Sequence, residues 1–251
     1  MNQDVIDRIN SAGIPNALKA ALKDLGQKVD ALLPHLPGNQ HRITFLIGRV
    51  IEEATNVDAD THWWEVALDL ITKAADGHGK AGQAIVEAAR STGPLLRQHL
   101  GSDDQVSLQE ITAQTGMGIC WLSDTLTEPK SNYVAPNVMS LAQAHFNEYA
   151  WFRAIYAGKA PVGFVMIVDN DKDEEYFLWR FMIAETYHGR GYGRQAIERL
   201  VEYVKTRPGA KELLVSCGQG EGSPEGFYLK CGFEHTGEKL GHEVVLRLAL
   251  E

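Results

Sequence analysis

The chain has 251 residues, 44% hydrophobic and 23% charged, with a formal net charge of −9. This is the composition of an ordinary soluble globular protein, with room for one large domain or two small ones. No run approaches 18 apolar residues, and the opening Met-Asn-Gln-Asp-Val-Ile-Asp has neither a basic region nor an apolar core. Both facts argue against a membrane span or a secretory signal. Residues 1–101 hold 10 basic and 12 acidic residues, whereas 102–251 hold 14 and 21. An acidic second half argues against nucleic acid as a partner and suits a cationic small molecule. Three cysteines, Cys120, Cys217 and Cys231, are odd in number and lack Cys-x-x-Cys spacing. They read as reduced thiols of a cytoplasmic protein, with no His/Asp partner set that would make one a nucleophile.

The first hundred residues read as helices. Apolar residues recur at three- and four-residue spacing over 16–33, 42–56, 62–76 and 80–91. Breaks are predicted at Pro34–Gly38, Asp58–Asp60, Gly77–Gly79 and Gly93–Pro94, and Thr61 is expected to cap the helix carrying Trp63 and Trp64. Both tryptophans read as core. Gly77-His-Gly-Lys-Ala-Gly82 matches G-x-G-x-x-G, yet a helix precedes it, so it reads as a helix–helix turn rather than a nucleotide site. His35, His41, Glu52, Glu53, His62 and Glu65 form no paired Glu-x-x-His arrangement, and no metal is expected. The composition changes at Gly101-Ser-Asp-Asp104. The domains are therefore expected at 1–101, a helical bundle serving as a packing or oligomerisation module, and at 105–251.

Strand-like alternation begins at Val106–Ile111. Asp169-Asn-Asp-Lys-Asp-Glu-Glu175 imitates the start of a calcium loop, but it lacks the sixth-position glycine and has Arg180 where a bidentate Glu belongs. It reads as a solvated hairpin. Tyr176–Ile183 is a strand leading into a loop with Gly189, Gly191 and Gly193, and an amphipathic helix follows. Glycines at a strand-to-helix turn let backbone approach a ligand, and free amides at the helix start favour an anion. With Arg190 and Arg194 beside it, this turn reads as a phosphate cradle. It is not the Rossmann fingerprint, since Ala196 stands in the third glycine position, and no Gly-Lys-Ser/Thr closes a Walker loop. Further on, Gly226-Phe-Tyr-Leu-Lys-Cys-Gly232-Phe reads as a short helix ending at a C′ glycine and turning into a strand.

Tyr187-His-Gly-Arg-Gly-Tyr-Gly-Arg194 fits R/Q-x-x-G-x-G/A, and Gly226–Glu238 is similar to the F-Y-x-x-x-G-F segment that follows it in one family. On these motifs the chain resembles the GNAT superfamily of N-acetyltransferases over residues 105–250. His188 stands where the family usually has Gln or Arg, and Glu221 where it has Asn. Tyr133–Asn137, Ser140–Ala144, Ala154–Met166 and Trp179–Ile183 look like the bacterial diamine (spermine/spermidine) N-acetyltransferases.

The resemblance implies an α+β fold, a mixed, mostly antiparallel twisted sheet flanked by helices, here preceded by the all-α bundle. It implies acetyl-CoA as co-substrate, lying between the fourth and fifth strands. Its pantetheine arm would run along Phe181, Met182 and Ile183, and its pyrophosphate would sit on His188, Gly189, Arg190, Gly191, Tyr192, Gly193 and Arg194. Tyr228 falls on the family's general-acid position beside the sulfur. The fourth-strand Glu that serves many members as base is Phe177 here, leaving Glu175, Glu185, Glu148 or a water chain. Phe177 and Trp179, two residues apart, are expected to share a face and to wall the acceptor site, with Glu148 also on the substrate side. The implied acceptor is a primary amine of a small molecule, a polyamine first, and the implied assembly a homodimer. An amine antibiotic, a peptide or a protein lysine fits the same fold, as does a non-catalytic acyl-CoA sensor.

Overall fold

A computed structural model describes residues 1, 3–36, 38–56, 59, 61–101 and 103–250. The chain divides into two compact units, Met1–Asp103 and Asp104–Glu251. Pro37, Asp58, Asp60 and Ser102, which belong to predicted breaks, lie outside the described residues.

The first unit is all helical: α1 (Gln3–Ser11), α2 (Asn16–Leu32), α3 (Gln40–Thr55), α4 (Trp64–Ala75) and α5 (Gly79–Leu100). α1 adds a helix to those predicted. The apolar stripe of α2 (Leu18, Leu22, Leu25, Val29) is buried, and α5 packs against α2 and α4. The predicted break at Gly93–Pro94 does not occur. Pro94 removes one backbone donor and crowds the preceding turn, at a cost of about 3 kcal/mol. The buried stripe Ile85, Ala88, Ala89, Thr92 and Leu96 nevertheless runs straight through that point, and its burial holds the helix together. The Gly-rich run after Ala75 is the expected turn between helices. A Cβ on Gly82 would stand 2.0 Å from the Ala75 carbonyl oxygen, so only glycine permits this approach.

The predicted cap of α4 is corrected as well. The Thr61 hydroxyl accepts from Arg49 instead of capping, and the fully buried Glu53 carboxylate takes the Trp64 N–H at 3.0 Å. A carboxylate at a helix N-terminus is favoured by the dipole, and it satisfies an amide that burial would otherwise orphan. Trp64 is buried and Trp63 half-buried. Among the described residues, no group of three or more His, Cys, Asp or Glu is placed to hold a metal, and no helix is long and apolar enough to cross a membrane.

The second unit is α+β. Seven strands, β1 (Val106–Gln109), β2 (Ala150–Ala157), β3 (Ala160–Asn170), β4 (Glu175–Ile183), β5 (Glu212–Cys217), β6 (Glu234–Leu240) and β7 (Glu243–Ala249), form one sheet in the order β1-β2-β3-β4-β5-β7-β6. All pairings are antiparallel except β4–β5. The flanking helices are α6 (Gly116–Leu122), α7 (Asn137–His145), α8 (Tyr192–Val204) and α9 (Glu225–Lys230). β3 is buried from Pro161 to Ile167 on both faces, which explains its unbroken apolar run. The acidic hairpin 169–175 is only partly solvated. Asp169, whose side chain is 8% exposed, accepts from the Tyr203 hydroxyl at 2.6 Å and from Arg207 at 2.9 Å, tying the β3 end to the α8 end.

Candidate active site

β4 pairs with β3 along its whole length but with β5 only at Phe177–Leu214 and Leu178–Val215. Beyond Leu178 the two strands part. Backbone N–H and C=O groups alternate between the two sides of a strand, so the β5-facing groups of Trp179–Ile183 have no strand partner. An unpaired strand edge inside a protein is a template for an extended ligand. A cavity of about 1200 Å³ fills this opening and is lined by both strands, the glycine loop, α9 and the β6–β7 hairpin.

A bulge sits at the opening. Leu178 pairs with Ile167 and Arg180 with Met166, which leaves Trp179 as the extra residue. Phe177 and Trp179 both line the cavity. The Arg180 guanidinium lies over the Trp179 ring at 5.3 Å. Its Nη1 donates to the Trp179 carbonyl and its Nη2 to Gln143.

The glycine loop forms the other end. Gly189 and Gly191 have φ of +79° and +84°, and Gly191 is the N-cap of α8. Nothing lies within 4 Å of a Cβ built on either, and the first amides of α8 have no intrahelical acceptor. Gly193 serves packing instead: a Cβ there would meet the Phe227 ring at 3.1 Å. His188 Nε2–H donates to the Ile183 carbonyl at 2.7 Å, closing the loop back on the strand. Arg190 donates to the Thr186 carbonyl and lies over the Tyr187 ring at 5.0 Å, whereas Arg194 is exposed beside Glu198. Tyr192 is buried with its hydroxyl donating to Asp104, so it anchors the loop through its side chain. Of the strand residues, Phe181 stacks on Phe227 at 5.7 Å, and Met182 and Ile183 are buried in the cavity wall.

Tyr228 reaches the cavity from α9. The helix ends in a Schellman turn, with Phe233 N–H donating to the Tyr228 carbonyl, Gly232 N–H to the Leu229 carbonyl, and Gly232 at φ +94°. The Tyr228 ring packs edge-on against Phe227 and Phe233 at 5.4 and 5.5 Å. Its hydroxyl has no partner among the described residues. Burial, with smaller contributions from Cys217, Cys231 and Glu243, pushes the phenol well above its ordinary range. It therefore remains a proton donor at every physiological pH. Burial likewise raises the neighbouring Cys217 thiol to about 11, keeping it neutral and non-nucleophilic.

The three carboxylates considered as base fall in different places. Burial acts to raise the Glu185 carboxyl, but bonds from Lys130 at 2.5 Å and from the Thr127 hydroxyl and amide outweigh it and hold it at about 2. It pins the loop 127–130 and has no affinity for a proton to take. Glu148 is exposed near Lys172 and is not part of the cavity lining. Glu175 is exposed at the cavity rim. Sequence reasoning missed Ser216 and Glu243, whereas Tyr133 heads a segment whose resemblance it noted. Tyr133 spans the opening, its ring against Gly218 and its hydroxyl donating to the Gln219 carbonyl. Only the β5–β7 register brings Ser216 and Glu243 together, so no local signal marks them.

Residues 119–233 match the model of the Acetyltransferase (GNAT) family. No curated protein matches the chain in sequence. Among solved structures, it is similar to an acetyltransferase from Thermus thermophilus, with 20% identity over 59% of this chain and 99% of the other and a TM-score of 0.47. The spermidine N-acetyltransferase from Vibrio cholerae, in complex with CoA and spermine, has 17% identity over 59% and 97% and a TM-score of 0.44. The ribosomal-protein-S18-alanine N-acetyltransferase from Escherichia coli has 13% identity over 58% and 94% and a TM-score of 0.45.

Proposed function

We propose, for a chain whose residues 119–233 match the Acetyltransferase (GNAT) family model, that it transfers the acetyl group of acetyl-CoA to a primary amine of a small molecule, a polyamine first among them. The observation that carries this reading is the parting of β4 and β5 beyond Leu178, with a helix N-terminus at one end of the cavity and a buried phenol in its wall. The fit to coenzyme A rests on open space over Gly189 and Gly191, on the free amides of α8 for a pyrophosphate, and on the unpaired β4 edge for an amide-bearing arm. Arg190 and Arg194 add positive charge at the mouth, while His188 and Tyr192 hold the loop's shape.

Acetyl-CoA supplies a thioester carbonyl that an amine can attack. An alkylammonium near pKa 10 must first lose a proton. With Glu185 tied to Lys130 and Thr127, water reaching the open cavity is the route for that proton. In this reading a main-chain N–H of β4 stabilises the negative charge developing on the carbonyl oxygen. Tyr228 holds the proton that the departing sulfur takes. Phe177 and Trp179 supply an aromatic wall for the acceptor.

Residues 105–251 are the catalytic domain in this reading and 1–101 a separate packing or oligomerisation module. A homodimer in the cytoplasm belongs to the same reading, and light scattering on the purified chain tests the assembly. The central test is thiol release from acetyl-CoA across putrescine, spermidine, spermine, aminoglycosides and a Lys-containing peptide. Turnover led by the polyamines is expected. Coenzyme A binding with silence toward every amine would replace catalysis by a sensing role.

A further inference from the structure

Granting the proposed acetyl transfer, the β5–β7 register bears on what could hold the amine. Cys217 stands opposite Val244 and Ser216 opposite Val245. Side chains alternate along each strand, so Leu213, Val215, Cys217 and Val244 share one buried face. Leu214, Ser216, Val245 and Glu243 share the other, and Phe177, level with Leu214 across the parallel pair, extends it onto β4. All of these last five line the cavity.

Glu243 is the half-buried carboxylate of this face. Its Oε2 accepts from the Ser216 hydroxyl at 2.5 Å, and its other oxygen has no partner among the described residues. The remaining charged groups nearby differ in kind. Glu175, Glu238 and Lys239 are exposed at the rim. Arg180, whose charge is felt by Glu243, is pinned by Trp179 and Gln143, and its buried Nε makes no hydrogen bond.

We propose that Glu243 is the specificity-determining residue of the acceptor site: the ammonium of a small cationic amine docks on its free oxygen, with Ser216 as the positioning residue and the Phe177 ring along the alkyl chain. A charge-assisted hydrogen bond of this kind is about twice as strong as a neutral one and is lost when the carboxylate becomes an amide.

The test compares the full chain with Glu243→Gln, which preserves shape and an acceptor for Ser216. Spermidine is titrated calorimetrically into protein saturated with CoA, and steady-state rates are measured with acetyl-CoA. Affinity and KM for spermidine should weaken about tenfold, while CoA affinity stays within about twofold. Ser216→Ala should give a smaller loss that Ser216→Thr restores. Unchanged spermidine binding by Glu243→Gln overturns the assignment, as does a wild type that does not bind spermidine. So does a loss confined to kcat, which would place Glu243 on the proton instead. Tighter binding of β-alanine than of spermidine would transfer recognition to Arg180 Nε. Failure of the underlying reading is seen separately, as absence of both CoA binding and thiol release in the wild type.

Discussion

Replacing Glu53 by Gln should make the helical unit more stable at neutral pH and flatten its response to pH. Glu53 is fully buried, and its carboxylate caps α4 through the amides of Trp63 and Trp64 while Arg49 donates at 3.0 Å. Burial dominates these favourable contacts and raises the carboxyl from 4.5 to about 7. The folded form therefore binds the proton more tightly than the unfolded chain does. Stability from this group is fully present below pH 4.5 and is lost as pH rises through 7. At about 1.4 kcal/mol per pH unit, the loss across that window is on the order of 3 kcal/mol. A glutamine keeps an acceptor for the Trp64 amide and has no charge to desolvate, so the slope should vanish in Glu53→Gln. Urea unfolding of the full chain between pH 4.5 and 8.5, with hydrogen exchange in peptides from α3 and α4 to isolate the unit, measures the difference. Equal pH slopes for wild type and variant would refute the reasoning, and a variant less stable at pH 8 would show that the Arg49 contact outweighs the burial.

Three further outcomes follow from the catalytic unit. Tyr228→Phe should lower kcat by roughly 10²–10⁴, the range for a positioned proton donor, while calorimetric CoA affinity changes little. Gly191→Asp should abolish CoA binding, because φ of +84° and an anion at the start of α8 both work against a phosphate. Thermal melting and circular dichroism establish that this variant is folded. Gly232→Ala should cost about 1 kcal/mol or more of stability in a denaturant melt, since the Schellman turn requires φ +94° there.

The features legible in the sequence are those whose cause is local. The glycine loop, the C′ glycine at Gly232 and the strand Tyr176–Ile183 are each dictated by backbone conformation or by side-chain period within a few residues. Where the reading failed, a distant partner decided. Pro94 stays helical because α2 and α4 cover its stripe, and Thr61 loses the cap of α4 to Glu53, which reaches it from the preceding helix. The Trp179 bulge is a property of the β3–β4 ladder, invisible in β4 alone. Ser216 and Glu243 meet only once β7 is laid beside β5. Glu148 and Glu185 were candidate bases by residue type, and one is set outside the cavity while the other is neutralised by a lysine 55 residues away.

The two-residue pairing of β4 with β5 also bears on how the sheet resists opening. β1–β4 and β5–β7 are each laced by long antiparallel ladders, yet only Phe177–Leu214 and Leu178–Val215 join the two blocks within the sheet. A ligand lying along the free β4 edge would act as a splint across this seam. Binding to the folded form alone adds RT ln(1 + [L]/Kd), about 2.7 kcal/mol at a hundredfold excess over Kd. That added stability would be concentrated in amide protection along Trp179–Ile183 and Leu214–Cys217, leaving the outer strands of either block nearly unchanged.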